Sequence, residues 1–419
     1  MYKNYKLIAL SMLCASTMYA DISYGGYDFF GEIRGGYVNY YYGNEITDTT
    51  AFAAVGKVGV QTKKYDGLYA RVMGAGVSDF GISDLNKQQK SNIFKREDDG
   101  SRSNFAILQE LYVGYANGKN ELKIGRNEFD SPMIGKDDYY MLANSFESIS
   151  LSSKHFRDID LNVGYLHKMA GVWDSRSDGS NFRSMSDASM TTAVNKGEAD
   201  NSGIYYAGVS YRHGHHKLSI WDYYAKELYN TLYIQYDYTD RAGIFEYTAG
   251  VQAIDFREVG KLSKSQTNIN TGVYAAQVDA KADNGLLLNA SVTKFGVGDG
   301  EQYVLGAWGG YAYYTKGFIF HFHEQNSFRN ALGYKLQAGY DFSKIGAGGL
   351  SLNLRYTNFL LDGKYSVYNT HAQNYLRFYG AQIRYAFMRG GYLAATYEKG
   401  ELEHVRDFNG FRLIGGYKF

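Results

Sequence analysis

The feature that most constrains this chain is a period of two in its apolar residues. In the closing stretch FNGFRLIGGYKF, one face holds small and apolar residues, namely Phe411, Leu413, Gly415, Tyr417 and Phe419. The other face carries Arg412 and Lys418. This alternation predicts a β-strand with one apolar side. A surface strand of a soluble sandwich or of a lipocalin-like barrel has the same pattern, so the stretch alone leaves both fold types open.

The beginning of the chain has the residue order of a secretory signal. Lys3 and Lys6 precede the apolar run LIALSMLC, and small and polar residues follow up to Ala20. The apolar run is too short to span a membrane as a helix. We therefore predict a signal peptide over residues 1–20 and a mature chain over residues 21–419.

Composition then narrows the class of protein. The only cysteine, Cys14, lies in the predicted signal, so the mature chain has no disulfide, and 44 basic against 43 acidic residues give no indication of a nucleic-acid partner. No run of the roughly 18 apolar residues needed for a membrane helix is present. Instead, 42 Tyr, 24 Phe and 49 Gly accompany a single proline. Such a composition is typical of an outer-membrane β-barrel, in which alternate residues face lipid and aromatic residues line both interfaces.

Short turns and long polar loops alternate along the chain. Eight short segments carry Gly, Asn, Asp or charge and are predicted turns: 63–67, 116–120, 153–158, 213–216, 238–243, 282–285, 343–349 and 388–391. Longer segments lack strand periodicity: 79–103, 128–147, 169–202, 255–270, 296–330 and 360–373. This asymmetry predicts an all-β, antiparallel transmembrane barrel of 18 strands with periplasmic termini. A ninth hairpin within residues 303–323 would make 20 strands, and periodicity leaves both numbers open.

Four stretches resemble the OprD family of outer-membrane porins. Residues 122–153, LKIGRNEFDSPMIGKDDYYMLANSFESISLSS, resemble its strand, third loop and strand, with a glycine-arginine pair, a loop proline, an aspartate pair and a Phe-Glu pair. Residues 334–359 resemble its Tyr-Asp strand, Gly-rich turn and Leu-rich strand. Residues 221–238 resemble its central hairpin, and 411–417 its closing strand. The likeness runs along almost the whole mature chain.

This resemblance implies 18 strands in the outer membrane of a Gram-negative bacterium. In the family the third and seventh loops fold inward, here residues 128–147 and 296–330, and narrow a wide lumen into a selective pore. The implied partners are outer-membrane lipid and lipopolysaccharide, small carboxylate solutes, and the barrel-assembly machinery, which would engage the terminal Phe419. Monomer and trimer both remain open.

Basic residues on the face of the strands that points into the lumen indicate which solutes the channel would pass. Six basic side chains lie opposite apolar neighbours: Arg34, Arg71, Lys335, Arg355, Arg384 and Arg412. A guanidinium facing lipid near mid-membrane would cost roughly 2–4 kcal/mol, so each arginine alone is explained as a solvated lumen residue. Together, spaced guanidinium groups would let a carboxylate step between sites. The OprD family has such a basic ladder, and Arg34, Arg355 and Arg412 match its motifs best.

Residues 392–400 depart from the family, since some members carry arginines there and this chain has none. We expect a correspondingly weaker ladder and a weaker preference for carboxylates.

Arg126 does not fit the inward parity, because it shares a face with Leu122 and Ile124. We interpret the strand as ending at Gly125, with Arg126 opening the constriction loop. Opposite charge in the constriction would come from four carboxylates, Asp130, Asp137, Asp138 and Glu147. These carboxylates would hold an ammonium group or a neighbouring arginine, and an interpretation as ordinary loop carboxylates is equally well supported.

An enzyme and an adhesin are the alternatives to a porin. The chain has no Gly-x-Ser-x-Gly or His-Glu-x-x-His pattern, so we predict no enzyme and no cofactor. The HGHH stretch at 213–216 and HFH at 321–323 are explained more simply as solvated histidines than as metal ligands. An adhesin that presents long loops such as 169–202 stays open as the alternative to a porin for small, carboxylate-bearing solutes.

Overall fold

The alternating segments form strands along most of the chain. The protein is described by a computed structural model that covers residues 22–41, 49–83, 93–137, 141–171, 179–187, 203–264, 269–296, 305–320, 328–363, 374–403 and 406–419. The predicted signal peptide, Asp138 and the HFH stretch lie outside these residues.

Eighteen long strands, labelled β1 to β18 in chain order, build the wall. They are β1 Tyr27–Tyr41, β2 Thr49–Thr62, β3 Leu68–Ser78, β4 Phe105–Ala116, β5 Asn120–Asn127, β6 Ser145–Ser153, β7 Ile159–Ala170, β8 Ile204–His213, β9 His216–Ala225, β10 Tyr229–Ala242, β11 Phe245–Glu258, β12 Thr271–Ala282, β13 Leu286–Phe295, β14 Leu332–Asp341, β15 Leu350–Leu361, β16 Asn374–Phe387, β17 Gly391–Leu402 and β18 Arg406–Lys418.

Shorter elements accompany the wall. Ile22–Tyr24 pairs with β1, Arg183–Ser184 pairs with β7, and Lys95–Arg96 pairs with Arg102–Ser103 in a small separate hairpin. The described part of the chain also contains two single-turn 3₁₀ helices, at Leu262–Lys264 and Phe342–Ile345. Within the described ranges, no helix is long and apolar enough to cross a membrane.

Each long strand pairs antiparallel with the next, and the ring closes between its first and last members. β1 pairs with β18 from Glu32 opposite Lys418 to Tyr41 opposite Asn409. All eight predicted turns join consecutive strands at one end of the ring. The 18-stranded antiparallel barrel is therefore confirmed. The alternative of 20 strands is wrong, because residues 305–320 lie inside the barrel and add no wall strand.

The two faces of the wall differ as the alternation predicts. Outward side chains such as Ile33, Val58 and Leu336 are apolar and exposed, which suits contact with lipid. The buried apolar residues lie within the lumen, where wall side chains meet two inward segments; Ile134 and Ile319 of these segments are fully buried. The core of the molecule thus lies inside the ring of strands.

The last strand keeps its pattern to the final residue. The Phe419 N–H donates to the Gly31 carbonyl at 3.0 Å, and the Gly31 N–H donates to the Phe419 carbonyl at 2.8 Å. The Phe419 ring stacks on Tyr417, with 6.5 Å between ring centroids. Phe419 therefore continues the outward apolar face that begins at Phe411.

The predicted end of β5 at Gly125 is wrong. The strand continues to Asn127, and Arg126 lies within it opposite Leu111, an exposed residue of the outward face. Gly125 has φ of +131°, a backbone conformation that glycine adopts without strain. The ladder continues through this glycine, so Arg126 keeps the outward parity and does not open a loop. Glu147, expected in the same loop, lies in β6.

Candidate functional site

Residues 305–320, here called the belt segment, run along the inner wall. The Gln252 side-chain amide of β11 donates to the Ala312 carbonyl at 2.7 Å. The Lys335 ammonium of β14 donates to the Tyr314 carbonyl at 2.6 Å. The Arg355 guanidinium of β15 donates to the carbonyls of residues 316 and 317 at 3.1 and 2.9 Å. Successive belt residues thus contact successive regions of the wall.

The end of the belt segment lies on β17, β18 and β1. The Glu398 carboxylate of β17 accepts the backbone N–H groups of residues 318, 319 and 320 at 2.7, 2.7 and 2.8 Å. The Phe320 ring packs edge-on against Phe408 of β18 and Tyr40 of β1, with centroid distances of 4.9 and 6.0 Å. From β11 to β1, the belt segment follows about half of the ring.

The last part of the belt segment lies on one row of the sheet, that is, on residues that face one another across neighbouring strands. Strand register places Arg355 opposite Gly380, Gly380 opposite Glu398, and Glu398 opposite Gly410. A Cβ at Gly380 would lie 2.5 Å from the Phe318 ring, and one at Gly410 would lie 2.9 Å from the Phe320 ring. These two wall positions accommodate the belt segment because they lack side chains.

Residues 128–137 and 141–144, here called the crossing segment, reach two distant parts of the wall. Near one end, the Phe129 ring packs on Tyr206 of β8 at 4.7 Å, and the Met133 N–H donates to the Tyr223 hydroxyl of β9 at 3.4 Å. Near the other end, the Arg34 guanidinium of β1 donates to the Met141 carbonyl at 3.4 Å. Since β9 and β1 are almost opposite in a ring of 18, this segment crosses the lumen.

The two inward segments meet at Trp308. The Gly135 N–H donates to the Trp308 carbonyl at 3.0 Å, and the indole N–H of Trp308 donates to the Met185 carbonyl at 2.8 Å. The Trp308 ring also stacks on Tyr229 of β10, with centroids 5.2 Å apart. The belt and crossing segments are therefore joined at the side of the lumen formed by β10.

Five of the six predicted ladder cations occupy consecutive inward rows of the wall. In order from the loop end towards the turn end of the barrel, they are Lys335, Arg355, Arg412, Arg384 and Arg34. Successive inward positions along a strand are about 6.7 Å apart. The sixth, Arg71, lies nearer the turn end of β3.

The contacts of these cations differ. Lys335 and Arg355 donate to the belt backbone. Arg34 forms an ion pair with Glu32 at 2.5 Å, and Arg71 forms one with Glu110 at 2.6 Å. Lys335, Arg355, Arg34 and Arg71 therefore each bind a polar group within the lumen.

A recess of about 600 Å³ opens between the belt segment and the turn end of the barrel. Its basic lining comes from Arg34, Arg384, Arg412 and Lys418. Arg384 is exposed and lies over the Tyr392 ring, with its guanidinium carbon 4.4 Å from the ring centroid. The recess therefore gathers four basic side chains around space that a small solute could occupy.

The expected acidic constriction is only partly assembled. Burial and the Arg355 charge lower the pKa of the Lys316 ammonium, whereas the charges of Asp137 and Asp130 act in the opposite direction. These two aspartates of the crossing segment are therefore electrostatic neighbours of the belt segment. The remaining predicted acid of that loop, Asp138, lies outside the described residues.

Arg126 and Glu147 do not belong to the constriction. They lie opposite each other on β5 and β6, and the Arg126 guanidinium donates to the Glu147 carboxylate at 2.9 Å. The Arg126 guanidinium also lies over the Phe182 ring, with its carbon 4.3 Å from the ring centroid. Their outward parity makes them a cross-strand pair near the loop end of the barrel.

Sequence reasoning missed several charged groups inside the lumen. Glu398 is fully buried, and Glu32 and Lys57 are almost so. The six ladder residues do not include Lys57, and the inward-parity argument for them covers no acidic residue. Applied to acidic residues, it would have found Glu398, which adjoins the outward Tyr397.

The histidines of the HGHH turn have other polar partners. His213 lies 3.3 Å from Asp158, and His216 lies 2.6 Å from the Tyr236 hydroxyl. Across the residues that the structure describes, no cluster of three or more potential ligands could hold a metal ion.

Comparisons with known proteins agree with this architecture. Solved structures similar in fold include Pseudomonas aeruginosa OpdK with vanillate, at 16% identity and a TM-score of 0.74, covering 94% of this chain and 98% of that one. A BenF-like porin from Pseudomonas fluorescens Pf-5 has 16% identity and a TM-score of 0.76, with coverages of 94% and 98%. Acinetobacter baumannii OccAB3 has 14% identity and a TM-score of 0.77, with coverages of 94% and 99%.

A search of curated proteins finds no match. The family model for the outer membrane porins of the OprD family, in contrast, matches residues 76–413, well over half of the chain. The chain belongs to the OprD family of outer membrane porins.

Proposed function

We propose that this porin admits small solutes bearing a carboxylate, which move from one wall cation to the next. The observation that carries the proposal is the placement of Lys335, Arg355, Arg412, Arg384 and Arg34 on consecutive inward rows. A guanidinium offers two parallel N–H donors to a carboxylate, and a series of such sites allows binding without a deep trap.

Three members of this row, Arg34, Arg384 and Arg412, border the recess. Lys335 and Arg355 are occupied by belt carbonyls, and Arg34 is paired with Glu32. Arg384 and Arg412 border the recess, and Arg384 is packed on a ring instead of a carboxylate. Since a solute in the recess would meet both of these side chains, we assign the strongest influence on solute charge to Arg384 and Arg412.

Planar bilayer recordings across a salt gradient test this assignment. Replacing both residues, Arg384→Gln with Arg412→Gln, should lower the anion-to-cation permeability ratio by roughly two- to threefold, because screening over about 8–10 Å limits the reach of each charge. The matched control is Arg377→Gln, which removes a guanidinium of the same strand on the outward face, where Arg377 lies 3.7 Å from Glu401. An unchanged ratio in the double variant would contradict the role of the recess.

Liposome swelling identifies the solute class. OpdK was solved with vanillate, an aromatic carboxylate, so vanillate and its neutral amide form a suitable pair. We expect the carboxylate to enter faster, and the double variant to lose that advantage. Amino acids, aromatic acids and short peptides complete the panel. Equal rates for each acid and its amide would refute carboxylate preference while leaving a general porin intact.

The alternative is a barrel that displays its loops as an adhesin. A wild-type protein that assembles in bilayers yet carries no current would refute our channel proposal and favour this alternative.

We also propose that Phe419 is the contact for the barrel-assembly machinery in a lipopolysaccharide-containing membrane. Its outward ring, stacked on Tyr417, adjoins the seam where β18 pairs with β1. Deleting Phe419 should lower the amount of folded protein in the outer membrane more than Tyr417→Ala does. Equal membrane levels of the two variants would contradict this role.

A further inference from the structure

We propose that Glu398 is the positioning residue that sets the width of the channel, by holding the backbone of the belt segment against the wall. This inference rests on the proposed channel function and goes beyond it, since Glu398 would act on the protein backbone and not on a solute.

The geometry of Glu398 supports this role. Its side chain is fully buried, and both carboxylate oxygens accept backbone N–H groups, one from residue 318 and two from residues 319 and 320. A buried carboxylate requires such charge-assisted hydrogen bonds, because its transfer out of water is otherwise very costly. Burial of the charge and docking of the belt segment therefore depend on each other.

The neighbouring cations hold the same backbone by its other polar groups. Arg355 donates to the carbonyls of residues 316 and 317, and Lys335 donates to that of residue 314. The Glu398 carboxylate and the two cations thus bind neighbouring backbone groups within residues 314–320 of the belt segment. Two of the predicted solute sites, Lys335 and Arg355, therefore form a backbone clamp together with Glu398.

Glycine placement gives independent support. A Cβ at Gly317 of the belt segment would lie 2.7 Å from a Glu398 carboxylate oxygen. In the sheet, Glu398 is flanked by Gly380 and Gly410, the two wall positions that accommodate the Phe318 and Phe320 rings. The segment can approach the carboxylate this closely because all three positions lack side chains.

The first test compares single-channel currents of wild type and Glu398→Gln. Glutamine retains the size of the side chain but replaces one acceptor oxygen with an N–H₂ group facing N–H donors. We expect mean conductance to rise roughly twofold or more, since an 18-stranded barrel with less filling has a wide lumen, and open-channel current noise to increase. The control is Asp237→Asn, which neutralises a nearly buried wall carboxylate whose partners include Gln235 of the same strand.

A second variant keeps the carboxylate. Gly317→Ala crowds Glu398 without changing any charge and should shift conductance and noise in the same direction. If Glu398→Gln does not yield a heat-modifiable barrel, the conductance and noise of Gly317→Ala test the clamp instead. If the wild type conducts and both variants show the same conductance and noise as the wild type, the proposed clamp is overturned. A silent wild type would instead refute the channel function on which it rests.

Discussion

The crossing and belt segments both fill the lumen, yet they are held in different ways. The crossing segment belongs to the shorter connection, between the adjacent strands β5 and β6. Its Phe129 ring packs on the wall, and two wall side chains, those of Tyr223 and Arg34, each make one hydrogen bond to its backbone. The belt segment lies in the longer connection between β13 and β14, and charged wall residues bind its backbone.

This difference follows from chain length. Bringing a longer connection to a fixed place costs more conformational entropy than a shorter one, and only contacts made far from its ends can offset that cost. Glu398, Arg355 and Lys335 supply such contacts through strong, charge-assisted bonds. The wall therefore holds the belt segment through several charge-assisted bonds to its backbone, whereas it holds the crossing segment mainly through ring packing and single hydrogen bonds.

The largest expected effect comes from removing the crossing segment. Deleting residues 131–142 and joining the ends with a short Gly-Ser linker should raise single-channel conductance roughly threefold or more, because the barrier across an otherwise wide lumen is lost. Discrimination between solutes should fall as well. Unchanged conductance in a heat-modifiable barrel would mean that the belt segment alone closes the channel.

A smaller effect is expected from filling a wall position beneath the belt segment. In Gly380→Ala, the new Cβ would meet the Phe318 ring, so the belt segment should move inward or detach, and current noise should increase. The matched control is Gly35→Ala, at a wall glycine with nothing within 4 Å of the Cβ position. Equal noise in the two variants would show that the wall does not set the belt position.

Phe129→Ala tests the dependence of the crossing segment on its own side chains. The ring packs on Tyr206 and Phe146, and its loss should lower the free energy of unfolding by about 2 kcal/mol, less than for a fully buried phenylalanine. The measurement is the urea concentration at which heat-modifiable migration disappears. Phe80→Ala, at an exposed loop ring, is the control. Identical midpoints would indicate that the strand ends alone hold this segment.

The smallest effect is expected from Arg126→Gln. Because the Arg126–Glu147 pair faces outward, its loss should leave conductance and ion selectivity unchanged and should cost less than about 1 kcal/mol of stability. Bilayer recordings check this outcome. A clear fall in anion preference would restore Arg126 to the constriction and would argue against the outward parity of this pair.

Sequence periodicity predicted the wall well and the lumen filling poorly. Alternation and turn chemistry located all eight turns and the inward parity of Arg355 and Arg412, because both are properties of short stretches. Parity is right for Arg126, which shares the outward face with Ile124, and only the predicted strand end at Gly125 is wrong, since a positive φ lets the ladder continue there. The path of the belt segment depends on contacts with strands distant in sequence, such as Glu398, and no local pattern reports them.

The rows of cations span the seam between the first and last strands. Arg34 is contributed by β1 and Arg412 by β18, and these strands are adjacent only because the ring closes. In the order of synthesis the two arginines are made at opposite ends of the chain. Without the pairing of β1 and β18, an open sheet would hold them far apart. This arrangement of charges therefore exists only in the closed tube and not in an open sheet.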